Sequence, residues 1–226
     1  MTSSKTFDID IIISNSFTSF TQDIIKKNNS EVLKYYIDES FGWNYLDSYS
    51  IGTDGSNIIV ENNIKTFSVG NNQNSKSFIK NIFNRLDDII DLDFEYSITD
   101  NGSHIDIFAV NYSSTFSEEN IIGQVIGQSS VAGKWWEVLW KRDNNNKELN
   151  DLEKNTIIHE LGHSLGLSHP NNDPENKRWD TSDTVMSYNM SQYGWDSWYS
   201  DSDINALIKI WGRENDKSYW TLDSSY

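Results

Sequence analysis

The stretch His159-Glu160-Leu161-Gly162-His163-Ser164-Leu165-Gly166-Leu167-Ser168-His169 decides how this chain is read, and it holds three of the four histidines. His159 and His163 are four positions apart. On a helix that spacing puts both rings on one face, about one turn from each other. Two neutral imidazoles so placed can share one metal ion. Glu160 sits too close in sequence to His159 to join the same coordination easily. It can instead reach a water beside the ion, which is the arrangement of metal-assisted hydrolysis with a carboxylate as general base. Gly166 predicts the end of the helix, because glycine takes the left-handed conformation cheaply. The turn can carry His169 back as a third ligand, and Pro170 keeps the helix from resuming. Three histidines and an open fourth position match a catalytic zinc site.

The pattern HExxHxxGxxH, followed by Pro170, resembles the zinc helix of the metzincin endopeptidases, and the Leu167-Ser168-His169-Pro170 ending is most similar to the serralysin branch. A metzincin also has a methionine-containing turn after the third histidine. Thr184-Val185-Met186-Ser187-Tyr188 is similar to it. The resemblance implies that Met186 lies under the metal and that Tyr188 is both an extra metal ligand and a catalytic donor. It also implies an α+β metzincin-type zincin: a twisted, mixed five-stranded sheet with two long helices above a smaller, irregular lower lobe that ends in a helix. The likeness covers about residues 58–212, and only the zinc helix and the Met-turn are highly specific within it.

Composition narrows the function classes. The chain has 226 residues, enough for one sizeable domain or two small lobes, and its nine tryptophans and eleven tyrosines supply much of a core. A formal net charge of −16 repels phosphates and anionic lipid, so neither nucleic acid nor a membrane is an expected partner. There are no cysteines, which excludes disulfides and latency through a cysteine on zinc. The N-terminus lacks the basic start and long apolar run of a signal peptide. Members of the serralysin branch are commonly exported without one, so the resemblance implies a secreted protein. A monomer is expected. Calcium is an additional candidate ion because acidic loops abound, although no twelve-residue hand-type loop is present.

The sequence divides at about residue 56. Residues 1–56 read as an N-terminal extension or accessory layer, or a pro-segment across the cleft. They hold a predicted strand over 7–13, predicted short helices over 17–27 and 31–37, and a turn signal over 52–55. Residues 57–226 read as the catalytic domain, with an upper lobe to 169 and a lower lobe from 170. In the upper lobe, 64–69 is predicted as the first strand and 71–77 as a polar loop. Phe78, Ile82, Leu86 and Ile89 recur at helical spacing. Alternation over 92–98 and the run 103–110 predict strands. His104, at the start of the second, reads as structural. Trp135 to Trp140 predicts a buried strand. Asn150 with Glu153 forms the signature of a capping box for the zinc helix.

Gly123 and Gly127 mark the stretch 121–129, where a backbone can be approached closely. The resemblance implies that this is an edge strand on which a protein or peptide substrate adds as a further strand. After Tyr188 the chain is aromatic and irregular to Ser200, and then Asp201 to Trp211 predicts a helix closed by Gly212. Residues 213–226 read as a polar extension. Together these features predict a zinc-dependent endopeptidase with Glu160 as general base. The alternative is a non-catalytic zinc-containing binding module in which Tyr188 closes the fourth position.

Overall fold

A computed structural model of the chain describes residues 7–51, 57–116, 121–130, 132–142 and 147–215. Alternating burial builds its central strand. In β1 (Val32–Ile37) Leu33, Tyr35 and Ile37 are buried and Lys34 is exposed. The strand pairs in parallel with β4 (Asp93–Ser97) on one side and with β5 (Ile105–Ser113) on the other. β5 pairs in parallel with β7 (Lys134–Lys141), and β7 pairs antiparallel with β6 (Gly123–Ser129). These five strands run in the order β4-β1-β5-β7-β6. Two more, β2 (Gly42–Ile51) and β3 (Asn57–Ser68), form an antiparallel pair. β3 joins the second half of β5, on the edge whose first half β1 occupies: Asp38 N donates to Ile107 O and Val69 N to Ala109 O, whereas Arg142 N donates to Val110 O on the opposite edge.

The fold is therefore mixed α+β, as expected, but its sheet has seven strands rather than five. The predicted helix over 31–37 is instead the strand Val32–Ile37. The β-branched and aromatic run fits a pleat buried on one face, and period two outweighs the mixed three- and four-residue spacing. With β1 inside the sheet, residues 32–37 are no layer outside it. Residues 7–13 do not form a strand either. The Asp8 side chain accepts from Asp10 N and opens a short 3-10 turn, Ile9–Ile12, after which Ile13 makes one isolated bridge to Leu167. The segment 64–69 belongs to the longer β3, which is not the first strand. The turn signal at 52–55 and the tail 216–226 lie outside the described residues.

Helices cover the inner face. α1 (Asn15–Asn28) is capped by Ser14, whose side chain accepts from Phe17 N. α2 (Gln73–Asp87) starts inside the expected loop, because the Asn72 side chain accepts from Ser75 N and caps it there. Ile79, Ile82, Phe83 and Leu86 bury its stripe against the sheet, with Phe83 stacked on Tyr35 at 4.0 Å between ring centroids. α3 (Asp151–Ser164) carries the histidine motif, and α4 (Asp201–Trp211) closes the lower part. One core lies between the sheet and the helices and includes Ile105, Ile107, Trp136, Val138, Ile158 and Leu161. A smaller one, Leu46, Ile64, Phe108, Val110 and Leu139, lies on the outer face of the sheet. No helix among the described residues is long and apolar enough to cross a membrane.

Candidate metal centre

α3 begins with the expected capping box: Glu153 N donates to the Asn150 side chain at 2.9 Å, and Asn150 N donates to the Glu153 side chain at 2.9 Å. Ile157, Ile158, Leu161 and Leu165 are fully buried, which fixes the helix against the sheet and so fixes the rings it carries. The helix ends through Gly166, whose φ is 105°. Leu167 N returns to Gly162 O at 2.9 Å and Gly166 N to His163 O at 3.0 Å. A Cβ on Gly166 would stand 2.6 Å from Thr18 Oγ1, so close packing against α1 demands glycine as much as the turn does.

Beyond the turn, His169 swings under the helix. The ligand atoms of His159, His163 and His169 lie within 4.8 Å of one another, and among the described residues this is the one cluster of three or more metal-ligating side chains. His159 Nδ1 is 2.8 Å from Val185 O, and His163 Nδ1 is 2.9 Å from Leu167 O. A carbonyl only accepts, so each Nδ1 carries the proton and each Nε2 presents a lone pair. Nε2 of His159 and Nε2 of His169 stand 3.1 Å apart. Two nitrogens on one tetrahedral zinc, at ~2.0–2.1 Å each, would be separated by about 3.3 Å. Burial holds all three imidazoles neutral: it drives His159 well below the usual histidine range, His163 down to about 3 and His169 down to about 4, with repulsion among the rings adding to the first two. Neutral nitrogens converging on one point fit a divalent ion.

Glu160 lies beside the triad and is 5% exposed. Burial raises its carboxyl to about 8. The side chain faces the cleft across from β6, against Gly123. That cleft holds about 320 Å³ and is lined by Gly123, Gln124, Glu160, His163, His169 and Tyr188, among others. Tyr188 is half exposed, with its ring 5.0 Å from that of His169 and 5.3 Å from that of His159. Its backbone N donates to Pro174 O at 2.8 Å, which anchors it over the site. Burial, then Glu160 and Glu175, push its phenol up to about 12, so the hydroxyl keeps its proton. Met186 is fully buried beneath the helix, and a Cβ on Gly162 would meet its Sδ at 2.9 Å. The structure thus brings together all six residues singled out in the sequence.

It also shows parts that the sequence did not single out. Asp203, at the start of α4, accepts from Thr184 Oγ1 at 2.5 Å, from Val185 N at 3.0 Å and from Ser200 N at 2.9 Å. It thereby pins the turn whose Val185 carbonyl orients His159. The sequence signal was available: Ser200 and Asp203 stand three apart, the spacing of a capping box. The N-terminal segment contributes as well. Ser168 N donates to Ile12 O at 2.8 Å, Ser14 N donates to Gly166 O at 2.9 Å, and the Phe17 ring meets His163 edge-on at 5.2 Å. His104 is no part of the site. Its Nδ1 accepts from Lys34 N at 3.1 Å, and its Nε2 contacts Asn28.

Three histidines that could hold a metal ion are therefore in place. No protein-family model matches the chain. No curated protein matches it either.

Proposed function

We propose that this chain is a zinc-dependent endopeptidase whose site is of the metzincin kind. The observation that carries the reading is the contact between Glu160 and the edge strand. β6 pairs only with β7 among the described strands, and Gly123 packs directly against the Glu160 side chain. A peptide added to the free edge of β6 would run past the base and the histidines, with main-chain hydrogen bonds that do not depend on its sequence.

His159, His163 and His169 would hold zinc, which when bound lowers the pKa of water and polarises a carbonyl. With a cation held beside it by the histidines, Glu160 would be ionised despite its burial, and it accepts the proton of the attacking water and returns it to the departing amine. The dry wall of Gly123 and the helix keeps that carboxylate from bulk solvent, where its basicity would fall. The Tyr188 hydroxyl, protonated and half exposed at the rim, donates a hydrogen bond to the tetrahedral oxyanion of the substrate. Val185 O and Leu167 O hold the proton tautomer that leaves both Nε2 atoms free. An extracellular setting accords with this reading, since a broad peptide hydrolase is safest outside the cell that makes it.

Casein digestion with and without a zinc chelator tests the proposal, together with Glu160→Ala. The variant should keep its zinc and lose at least about two orders of magnitude in rate, the scale of general-base catalysis. Full activity in that variant would sink the assignment. A zinc-loaded native chain that cleaves no member of a mixed peptide library would leave only a zinc-holding module.

A further inference from the structure

The outer face of the sheet carries a second, larger cavity. It lies between β5, β7, the 100–104 loop, the turn at Ala132 and Gly133, the start of β2 and the end of α1, where Lys27 also lines it, and holds about 560 Å³. Ligand pockets commonly measure ~300–1,000 Å³. Asp100, Asp106 and Glu137 line it, and the last two are buried. Asp106 on β5 and Glu137 on β7 are register partners in the parallel ladder, so they share this face. They are only 5% and 6% exposed. Trp135 Nε1 donates to Glu137 Oε1 at 2.9 Å, but Glu137 Oε2 is buried with no hydrogen-bond partner. Asp106 Oδ1 accepts from Ser103 Oγ.

Nothing positive in the described chain neutralises this pair. None of the ion pairs among the described residues reaches either carboxylate. Lys134, on the rim, pairs with Asp23 at 2.7 Å, and Lys27 Nζ donates to Ala132 O at 2.5 Å. His104 is held neutral by burial and by the neighbouring Lys34. Two buried like charges side by side are costly unless protonated or countered by a cation. Burial raises Asp106 to about 7 and Glu137 to about 8, with repulsion from Asp100 and Asp38 added at the first and from Asp106 above all at the second. Trp135, Phe108 and Tyr45 also line the cavity, and aromatic faces attract cations.

The cation the site fits is not a bare metal. Calcium takes 6–8 oxygens, and only the three histidines form a group of three or more ligating side chains among the described residues. The volume, too, exceeds that of an ion. We infer that this cavity binds a small organic cation, a primary ammonium or guanidinium compound, with Asp106 and Glu137 as its counter-ions and the rings of Trp135 and Tyr45 beside it. The site is separate from the histidine cluster, which lies on the other face of the sheet.

Agmatine, which carries both cationic groups, is the probe. Titrated calorimetrically into the full chain, it should bind with one-to-one stoichiometry, while the neutral N-butylurea should give no heat. Glu137→Gln and Asp106→Asn should each weaken agmatine binding at least tenfold. Tyr45→Ala removes a ring that is 60% exposed, so it leaves the core intact, and it should weaken binding at least threefold. Should a carboxyl variant fail to fold, the Tyr45 variant and the agmatine-against-butylurea comparison decide. The inference is overturned if folded native chain binds no agmatine, if binding survives the substitutions, or if calcium displaces agmatine by binding more tightly.

Discussion

Gly123 on β6 presses against Glu160 on α3, so closely that a Cβ there would stand 2.7 Å from the glutamate Cγ. Strand and helix come together at the side chain to which the proposed mechanism gives the proton transfer. Gly123→Ala therefore displaces the Glu160 side chain while leaving the histidines alone. The expected outcome is a fall of about ten- to a hundred-fold in kcat, since a misplacement near 1 Å can cost that much. Zinc content, measured by atomic absorption, should stay at one per chain. An alanine variant with native turnover would mean that Glu160 has room to spare.

Asp203 reaches the metal centre through one peptide. Its carboxylate receives Val185 N, and Val185 O receives His159 Nδ1. Asp203→Ala should leave buried donors unpaired, at about 1–3 kcal/mol each, and should lower Tm measurably. Chelator competition should also show zinc held at least about tenfold more weakly, since partners that orient ligands typically carry 10–100-fold in affinity. A variant destabilised yet with native zinc affinity would show that the turn does not govern His159.

Tyr188 is separated from the histidines in role by its exposure. Tyr188→Phe keeps the ring contacts and removes the hydroxyl. Turnover should fall by about ten-fold or more with KM within a factor of about three, because a donor used only on the oxyanion leaves substrate binding untouched. Steady-state kinetics on one peptide checks it, and a rise in KM alone would contradict the role.

The acidic pair on the outer face gives the protein a pH signature. Asp106 and Glu137 are raised above their unfolded values by burial, with Asp100 and Asp38 adding repulsion and Ser103 and Trp135 offering hydrogen bonds that partly oppose it. The folded chain thus holds protons that the unfolded chain has already released. Their contribution is present below the ordinary carboxylate range and is lost as pH rises through about 8. From pH 7 to pH 8, above the range in which the buried neutral histidines add stability as pH rises, chemical denaturation should show stability falling by on the order of 1–2 kcal/mol. In Glu137→Gln that slope should be visibly shallower, and an unchanged slope would place the titration elsewhere.

Much of the site was legible because its chemistry is local. The spacing of His159, His163 and His169, the glycine turn and the Asn150–Glu153 cap are all set within a few residues, and each appears as expected. The sheet was less legible because strand pairing is decided by distant chain. Residues 31–37 read as a short helix in isolation, yet the space between β4 and β5 makes 32–37 the middle of the sheet. The same limit hid the role of Asp203 and the partner of Gly123: the capping-box spacing at 200–203 and the glycine at 123 were both visible, but Val185 and Glu160 are brought to them only by the fold.

Ile12, Ser14 and Thr21 bind the backbone at Ser168, Gly166 and Ser164. Segments of the chain about a hundred and fifty residues apart must therefore meet before the third imidazole can find its place. On the proposed reading, capture of an ion would then be among the last events of maturation, and such an order of assembly would keep peptide hydrolysis switched off until the fold is complete.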